Sequence, residues 1–295
     1  MISVSERPVM DAKEKEMTQE ERRIYLIHEL QKQMPEYAGY PVPEDEQEAF
    51  NLFRALCNVR MPGPVSEEFL KIQDEYLQEE IKKKGITEID GLKPVSSDER
   101  LYLWQGDITT LKCDAIVNAA NSQMLGCFQP LHNCIDNIEN TFAGVQLRNY
   151  MAQQMDRMRQ KYGEDYEQPT AVPMISPAFN LPAKYIVHVV GPIVYPTLQQ
   201  KHKKQLAQCY RSCLDLAAEN GCENIAFCCI STGVFMFPQD KAAEIAVKTV
   251  KQWLQDHPGS CMKRVIFNVF KDSDLRIYRN LLSTCDPDGF KKILK

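Results

Sequence analysis

Two cysteines and one histidine lie within eight residues of one another, on a loop punctuated by glycine and proline. Their spacing is Cys127-x4-His132-x-Cys134. Thiolate and imidazole groups are good zinc ligands, and three protein ligands leave one coordination position open, as in catalytic zinc sites. The chain has only five histidines, so an incidental grouping is the less favoured alternative. The loop predicts a bound Zn²⁺ that could polarise an oxygen atom or lower the pKa of a water.

Polar side chains flank this loop on both sides. Asp136 follows it near the start of a predicted helix, where a carboxylate could orient a water or take a proton, although it could also simply cap the helix. Before the loop, the strand 115–117 leads into Asn118 and Asn121. Amide groups both donate to and accept from sugar hydroxyls. A polar turn is the alternative interpretation of the two asparagines.

Other polar groups also follow predicted strands. Asp107 comes after the strand 101–104 and could accept a hydrogen bond from an exocyclic amine, or could form an Asx-turn or helix cap. The strand 225–230 ends in the loop 231–235, which contains Gly233 and precedes a helix. Such a loop offers N–H groups to phosphates. No Gly-Lys-Ser/Thr sequence follows, so this is not a Walker motif.

Aromatic side chains near the strand ends could contact a planar ligand. Phe270 follows Asn268 at the end of the last strand and could stack on a base, and Phe235 could form a wall of the site. As a core residue, Phe235 would look the same. His188 lies inside an apolar strand, and we interpret it as a hydrogen-bonded core histidine rather than a catalyst.

Alternating strands and helices must position these groups. Short, continuous apolar segments alternating with helical segments are typical of a mostly parallel sheet that is covered on both faces. Ligands of such sheets bind at the carboxyl ends of the strands. The predicted strands are 101–104, 114–118, 171–175, 185–190, 224–230 and 264–270, and the predicted helices are 137–161, 199–220, 239–257 and 273–282.

The N-terminal part of the chain is predicted to be helical. Helices are expected after the capping box that begins at Thr18, after Pro43, and after Ser66, with the third ending at Gly85. The polar segment 86–100 reads as a linker. We therefore predict a helical N-terminal extension over residues 1–95 and a zinc-containing α/β domain over residues 96–295.

Composition excludes several classes of function. The chain has 295 residues and a net charge of −5, which does not indicate a nucleic-acid-binding protein. It has no apolar segment near 18 residues, and residues 1–17 lack the apolar core of a signal peptide, so no membrane association is expected. The 11 cysteines are an odd number, which favours a reducing compartment over a disulfide scaffold and predicts a cytoplasmic location.

Four motifs together resemble the macrodomain family. They are GDIT at 106–109, VNAAN at 117–121, NLPAKYIVHVVGP at 180–192 and CCISTGVFMFP at 228–238. The resemblance covers residues 101–282 and implies a three-layer α/β/α fold with a mixed, mostly parallel sheet. It also implies that ADP-ribose binds in a cleft at the strand ends.

The resemblance is closest to the zinc-dependent branch of macrodomain hydrolases, whose Gly-Cys-x4-His-x-Cys-Ile-Asp-Asn string is present from Gly126 to Asn137. It implies Zn²⁺ on Cys127, His132 and Cys134. It places Asp107 at the adenine, Asn121 at the distal ribose and residues 231–235 at the diphosphate. The expected catalytic residues are Asp136 and Asn121, and the expected ADP-ribose ligands are Asp107, Ile108, Asn121, Ser231, Thr232, Gly233, Val234, Phe235, Asn268 and Phe270.

Members of this branch resemble hydrolases that remove mono-ADP-ribose from proteins, through an ester to Asp or Glu or an O-glycoside to Ser. Some bacterial members stand beside a sirtuin-like transferase and lipoyl-carrier proteins, which makes such a carrier a candidate substrate. Two alternatives are a non-catalytic reader of ADP-ribose and a hydrolase of O-acetyl-ADP-ribose. The sequence departs from the branch at Glu139 and Asn140, which replace an apolar residue and a histidine, and at Ala178-Phe179, which replaces Gly-Tyr.

Overall fold

The fold is built around one large sheet with helices packed on it, as a computed structural model of the chain shows. The structure describes residues 16–283. The strands are β1 (Thr87–Glu88), β2 (Pro94–Val95), β3 (Asp98–Gln105), β4 (Leu111–Lys112), β5 (Ala115–Ala120), β6 (Met174–Pro177), β7 (Tyr185–Val190), β8 (Asn224–Phe227) and β9 (Arg264–Val269). The helices are α1 (Gln19–Gln33), α2 (Glu46–Val59), α3 (Glu67–Lys84), α4 (Ile135–Ala143), α5 (Val145–Tyr162), α6 (Gln200–Glu219), α7 (Gln239–Asp256) and α8 (Asp272–Ser283).

The main sheet has seven strands in the order β2-β3-β9-β8-β5-β7-β6. The four pairings from β3 to β7 are parallel, and the two edge strands pair antiparallel. Helix α4 packs on β5, α6 on β7, and α8 on β3 and β9. Central strands such as β7 are almost wholly buried, as strands covered on both faces must be. The predicted three-layer, mostly parallel α/β fold is confirmed.

The register of the parallel strands brings their carboxyl ends to one edge of the sheet. Ala115 of β5 pairs with both Tyr185 of β7 and Ile225 of β8. On the other side, Gln105 of β3 pairs with Val269 of β9. The segments that follow β3, β5, β8 and β9 therefore share this edge, which is where ligands bind in parallel sheets.

The predicted helix over 137–161 is wrong, because it is two helices that meet at Gly144. This glycine has φ +96°, and a Cβ there would lie 2.5 Å from Gln146 Oε1 and 2.6 Å from Gln73 Nε2. Apolar periodicity continues through the break, so the sequence pattern did not reveal it.

Three other predicted boundaries differ from those in the structure. The strand expected at 171–175 is β6, and the strand expected at 224–230 is β8, which ends at Phe227. The segment 86–100, predicted as a linker, contains β1, β2 and the start of β3.

The three N-terminal helices form as predicted. Thr18 makes the capping box of α1, Ser66 caps α3 by accepting from Phe69 N, and Gly85 ends α3 with φ +87°. Their buried apolar residues belong to the same core as those of the sheet, and α2 and α3 both contact α4.

The division between residues 95 and 96 stays a prediction. Strand β2 precedes it and pairs with β3, which follows it. The outer ends of both predicted domains, and most of the segment examined for a signal peptide, lie at residues 1–15 and 284–295, outside the described residues. Among the helices of residues 16–283, none combines the length and apolarity that a bilayer span requires.

Candidate active site at the strand ends

The segment of residues 127–134, here called the metal loop, brings its three candidate ligands together. The ligand atoms of Cys127, His132 and Cys134 all lie within 4.8 Å of one another, and all three residues are half-buried. Cys127 Sγ is 3.5 Å from His132 Nδ1. With Zn–S near 2.3 Å and Zn–N near 2.0 Å, a tetrahedral site separates such atoms by roughly 3.5–3.8 Å. The three residues therefore fit a zinc ion after shifts of about 1 Å or less.

The metal loop ends at the first turn of α4. Cys134 is the N-cap of this helix, and its Sγ accepts a hydrogen bond from Asn137 N at 3.4 Å. Burial raises the pKa of the Cys134 thiol to about 12; the bond from Asn137 opposes the shift, and the neighbouring Cys127 adds to it. The cap position considered for Asp136 is therefore taken by Cys134.

Asp136 is a buried carboxylate held by three side-chain amides. Its Oδ1 accepts from Asn118 Nδ2 at 2.7 Å and from Asn140 Nδ2 at 3.2 Å, and its Oδ2 accepts from Asn121 Nδ2 at 3.3 Å. Burial raises its pKa to about 6, while the Asn118 bond and the Arg148 charge oppose the shift. The catalytic role predicted for Asp136 stays a prediction.

Asn121 connects this carboxylate to the start of the metal loop. Its Nδ2 also donates to Gly126 O at 3.1 Å, and its Oδ1 accepts from Gln123 N at 3.0 Å. An amide oxygen can accept a second hydrogen bond, so Oδ1 remains able to bind a ligand hydroxyl. The predicted neighbours Asn121, Asp136 and the metal loop are therefore brought together.

His188 is a hydrogen-bonded core residue, as expected. Its Nδ1 lies 3.1 Å from Asn118 Nδ2 and its Nε2 lies 2.9 Å from Ser176 Oγ. Since Asn118 Nδ2 can only donate, His188 Nδ1 must be the acceptor, and His188 Nε2 carries the proton and donates it to Ser176 Oγ. Burial lowers the pKa of His188 to about 3, which keeps the ring neutral.

The two departures on α4 have different consequences. Asn140 donates to Asp136 O at 2.8 Å, and its amide packs so closely on Gly126 that a Cβ there would lie 2.7 Å away. It therefore helps to order the loop. Glu139 is fully buried and neither carboxylate oxygen has a hydrogen-bond partner. Burial raises its pKa well above the ordinary value, and Asp136 and Asp107 add to the shift.

Asp107 caps the short turn that follows β3. Its Oδ1 accepts from Thr109 N at 3.0 Å and from Thr109 Oγ1 at 2.6 Å, and its Oδ2 accepts from Lys84 Nζ at 2.7 Å. Burial alone would raise its pKa, but Lys84 and Thr109 outweigh burial and hold the pKa below its ordinary value. Ile108 is buried behind it. Contact with adenine stays a prediction for both residues.

The loop that follows β8 is suited to an anion. Ser231, the first residue of this loop, has φ +65°. Its side chain packs closely on Gly191, where a Cβ would lie 2.0 Å from Ser231 Oγ. Thr232 Oγ1 donates to Cys229 O at 2.9 Å. In the described chain, the N–H groups of Gly233, Val234 and Phe235 donate no hydrogen bond, so these successive donors are available to phosphate oxygens.

The end of β9 completes this edge of the sheet. Asn268 Nδ2 donates to Gly106 O at 2.9 Å and so ties β9 to the turn that carries Asp107. Phe270 is 75% exposed, which suits a stacking role. Phe235 is half-buried and packs against the core.

The N-terminal helices also bring residues to the site that no sequence motif indicated. Lys84 of α3 binds Asp107, and Arg54 of α2 donates to His132 O at 2.8 Å. Nothing in the sequence pattern links Arg54 to a loop almost 80 residues away.

Comparisons with known proteins agree with this geometry. The family model described as Macro domain matches residues 117–246. A "Protein-ADP-ribose hydrolase" of Treponema medium is 54% identical over 269 residues, covering 90% of this chain and 100% of that protein. A protein of the same name from Staphylococcus aureus (strain Mu50) is 44% identical, covering 89% of this chain and 95% of its own.

Solved structures share the fold. The Trypanosoma brucei macrodomain in complex with ADP-ribose has a TM-score of 0.59 and 26% identity, covering 81% of this chain and 96% of that one. The Oceanobacillus iheyensis macrodomain with ADP has a TM-score of 0.54 and 30% identity, covering 69% and 95%. This chain belongs to the macrodomain family of protein-ADP-ribose hydrolases.

Proposed function

We propose that this protein is a zinc-assisted hydrolase that releases mono-ADP-ribose from modified protein side chains. The names of its Treponema and Staphylococcus relatives support the hydrolase activity. The observation that carries the zinc proposal is the meeting of Cys127, His132 and Cys134 beside Asn121, at the edge of the sheet where parallel-sheet proteins bind ligands.

The proposed binding mode follows the order of the strand ends. Asp107, Ile108 and Phe270 contact the adenine, with Asn268 supporting the turn between them. The loop of residues 231–235 binds the diphosphate through the free N–H groups of Gly233, Val234 and Phe235, without a net positive charge. Asn121 binds the distal ribose, whose scissile bond then lies beside the metal loop, because Asn121 Nδ2 is itself bonded to Gly126 O.

Cys127, His132 and Cys134 would hold the zinc ion, which would supply a Lewis acid when bound. The hydroxyl group of a water adds to the anomeric carbon of the distal ribose as the bond from that carbon to the side-chain oxygen breaks, and the proton of the water leaves with this oxygen. Asn121 orients the ribose, and Asp136 orients Asn121 through its Oδ2. Asp136 Oδ2 accepts the bond from Asn121 and, as a carboxylate oxygen, can accept a second one, so direct proton transfer would not require an amide donor to move.

Chelation tests whether the metal is needed for the cleavage reaction or for the binding of ADP-ribose. Removing the metal with a chelator should lower the release of ADP-ribose by roughly 100-fold or more, while calorimetric binding of free ADP-ribose changes by less than about threefold. Adding zinc should restore release. The variant Cys127→Ala should behave like the chelated protein, and Cys261→Ala, a half-buried cysteine elsewhere, should behave like wild type.

The choice of substrate distinguishes the remaining alternatives. Release should be measured from Asp/Glu-linked protein, from Ser-linked peptide, from a modified lipoyl-carrier protein and from O-acetyl-ADP-ribose at equal concentrations. Binding without turnover on all four would indicate a reader. Preference for the acetylated nucleotide would indicate a deacetylase. Full release after chelation would contradict the zinc proposal.

A further inference from the structure

The metal loop makes few hydrogen bonds of its own. Among the described residues, one backbone–backbone bond lies inside it, from His132 N to Gln129 O at 3.3 Å. Leu131 has φ +56°, a left-handed conformation that is strained for a leucine. A loop with so little internal support needs contacts from outside to hold three ligand atoms together.

Helix α2 of the N-terminal part provides these contacts through two side chains. Arg54 donates from Nη2 to His132 O at 2.8 Å, and from Nη2 and Nε to Asn137 Oδ1 at 2.9 and 3.2 Å. Asn137 in turn donates from Nδ2 to Gln129 O at 2.9 Å. The guanidinium group thus holds one ligand residue directly and the middle of the loop through Asn137.

Asn58 holds the strained residue beside the histidine. Its Oδ1 accepts from Leu131 N at 3.0 Å, and its Nδ2 donates to Thr141 Oγ1 at 3.2 Å. Asn58 is 1% exposed, so water cannot readily replace it. Arg54 and Asn58 are four residues apart and therefore lie on the same face of α2.

We propose that Arg54 and Asn58 are positioning residues that hold the metal loop in its coordinating geometry, so that α2 is part of the metal site. This inference rests on the proposed function, since it concerns the affinity of the loop for zinc. Partners that orient metal ligands typically contribute 10–100-fold to metal affinity. If the proposal is correct, substituting Arg54 or Asn58 should lower the affinity for zinc while the protein stays folded.

The test compares Arg54→Lys with Arg60→Lys in the full chain. Arg60 is a buried arginine at the end of the same helix, and its Nη2 donates to Gly63 O and Pro64 O. Lysine keeps the charge but loses the planar fork of donors. We expect Arg54→Lys to lower zinc affinity, measured by chelator competition, by about 10–100-fold, and Arg60→Lys to leave it within twofold of wild type.

Two further readouts distinguish positioning from general stability. Cobalt(II) bound in place of zinc should show an altered visible spectrum in Arg54→Lys and an unchanged spectrum in Arg60→Lys. Amide hydrogen exchange of residues 127–134 in metal-free protein should be faster in Arg54→Lys alone. Asn58→Ala, the second variant, should speed exchange at Leu131 and also weaken zinc binding.

Two outcomes would count against different claims. If wild type binds zinc but Arg54→Lys and Asn58→Ala bind it equally well, with unchanged exchange in the loop, the positioning roles are wrong and the proposed function stands. If wild type binds neither zinc nor cobalt, the proposed function itself fails, and the positioning roles fail with it.

Discussion

Glu139 buries a carboxyl group without giving either oxygen a hydrogen-bond partner. Related zinc-type macrodomains are expected to carry an apolar residue there. Leaving a polar group buried and unpaired costs about 1–3 kcal/mol. Burial, Asp136 and Asp107 all raise its pKa, so the folded protein keeps a proton that the unfolded chain releases.

We predict that Glu139→Met stabilises the protein and that the gain grows with pH. A raised folded pKa gives stability that is present below the ordinary value of 4.5 and is lost as pH rises through the folded value. Over that window the gain should increase by about 1.4 kcal/mol per pH unit. Urea unfolding between pH 5 and pH 8 measures it. The exposed Glu164→Met is the control and should show no such slope, and equal slopes for both variants would contradict the prediction.

Residue types and their spacing predicted the grouping of the three candidate metal ligands. The spacing of Cys127, His132 and Cys134 predicted their meeting, because a short loop cannot carry its ligands far apart. Asp107 was harder, since an aspartate after a strand fits a cap and a ligand contact equally well, and the structure shows the cap.

At the scale of elements, the break at Gly144 ends α4, the helix that carries Asp136 and begins directly after the metal loop. In the described chain, alternating apolar segments predicted the six strands of four or more residues, because buried strands are continuous in hydrophobicity. They did not predict the two-residue strands β1, β2 and β4. The sequence did not reveal the break, because α4 and α5 each bury one face and their apolar residues follow one continuous helical spacing.

We predict that Gly144→Ala destabilises the protein by roughly 2–4 kcal/mol, through both its positive φ and the collision with Gln146 and Gln73. Gly221 also has a positive φ, of +72°, but has open space around it. Gly221→Ala should therefore cost about 1 kcal/mol. Urea unfolding of both variants measures the difference. Equal losses would show that the packing at Gly144 contributes nothing.

At the scale of the molecule, the N-terminal helices and the sheet share one core and one site. Lys84 of α3 binds Asp107, while Arg54 and Asn58 of α2 bind the metal loop. The sequence predicted these helices but not where they pack, because partners 23 to 83 residues apart leave no local periodic pattern.

We predict that Lys84→Met makes ADP-ribose binding sensitive to pH. Without Lys84, burial of Asp107 is opposed only by the bonds from Thr109, so the pKa of Asp107 should lie higher than in wild type and its carboxylate should take up a proton at a higher pH. On the proposed adenine contact, the affinity of Lys84→Met, measured by calorimetry as the pH is lowered from about 7.5, should therefore fall at a higher pH than that of wild type. Lys83→Met, which removes only pairs with Glu80 and Glu46, should follow wild type. A flat profile for Lys84→Met would contradict the role of Lys84.

X-ray absorption at the zinc edge of the purified protein tests the central claim most directly. The metal loop predicts one zinc per chain with two sulfur neighbours near 2.3 Å and one nitrogen neighbour near 2.0 Å. Cys127→Ala should lose one sulfur neighbour or the metal itself, and Cys261→Ala should lose neither. Protein without zinc, or zinc bound only to oxygen and nitrogen, would contradict the assignment.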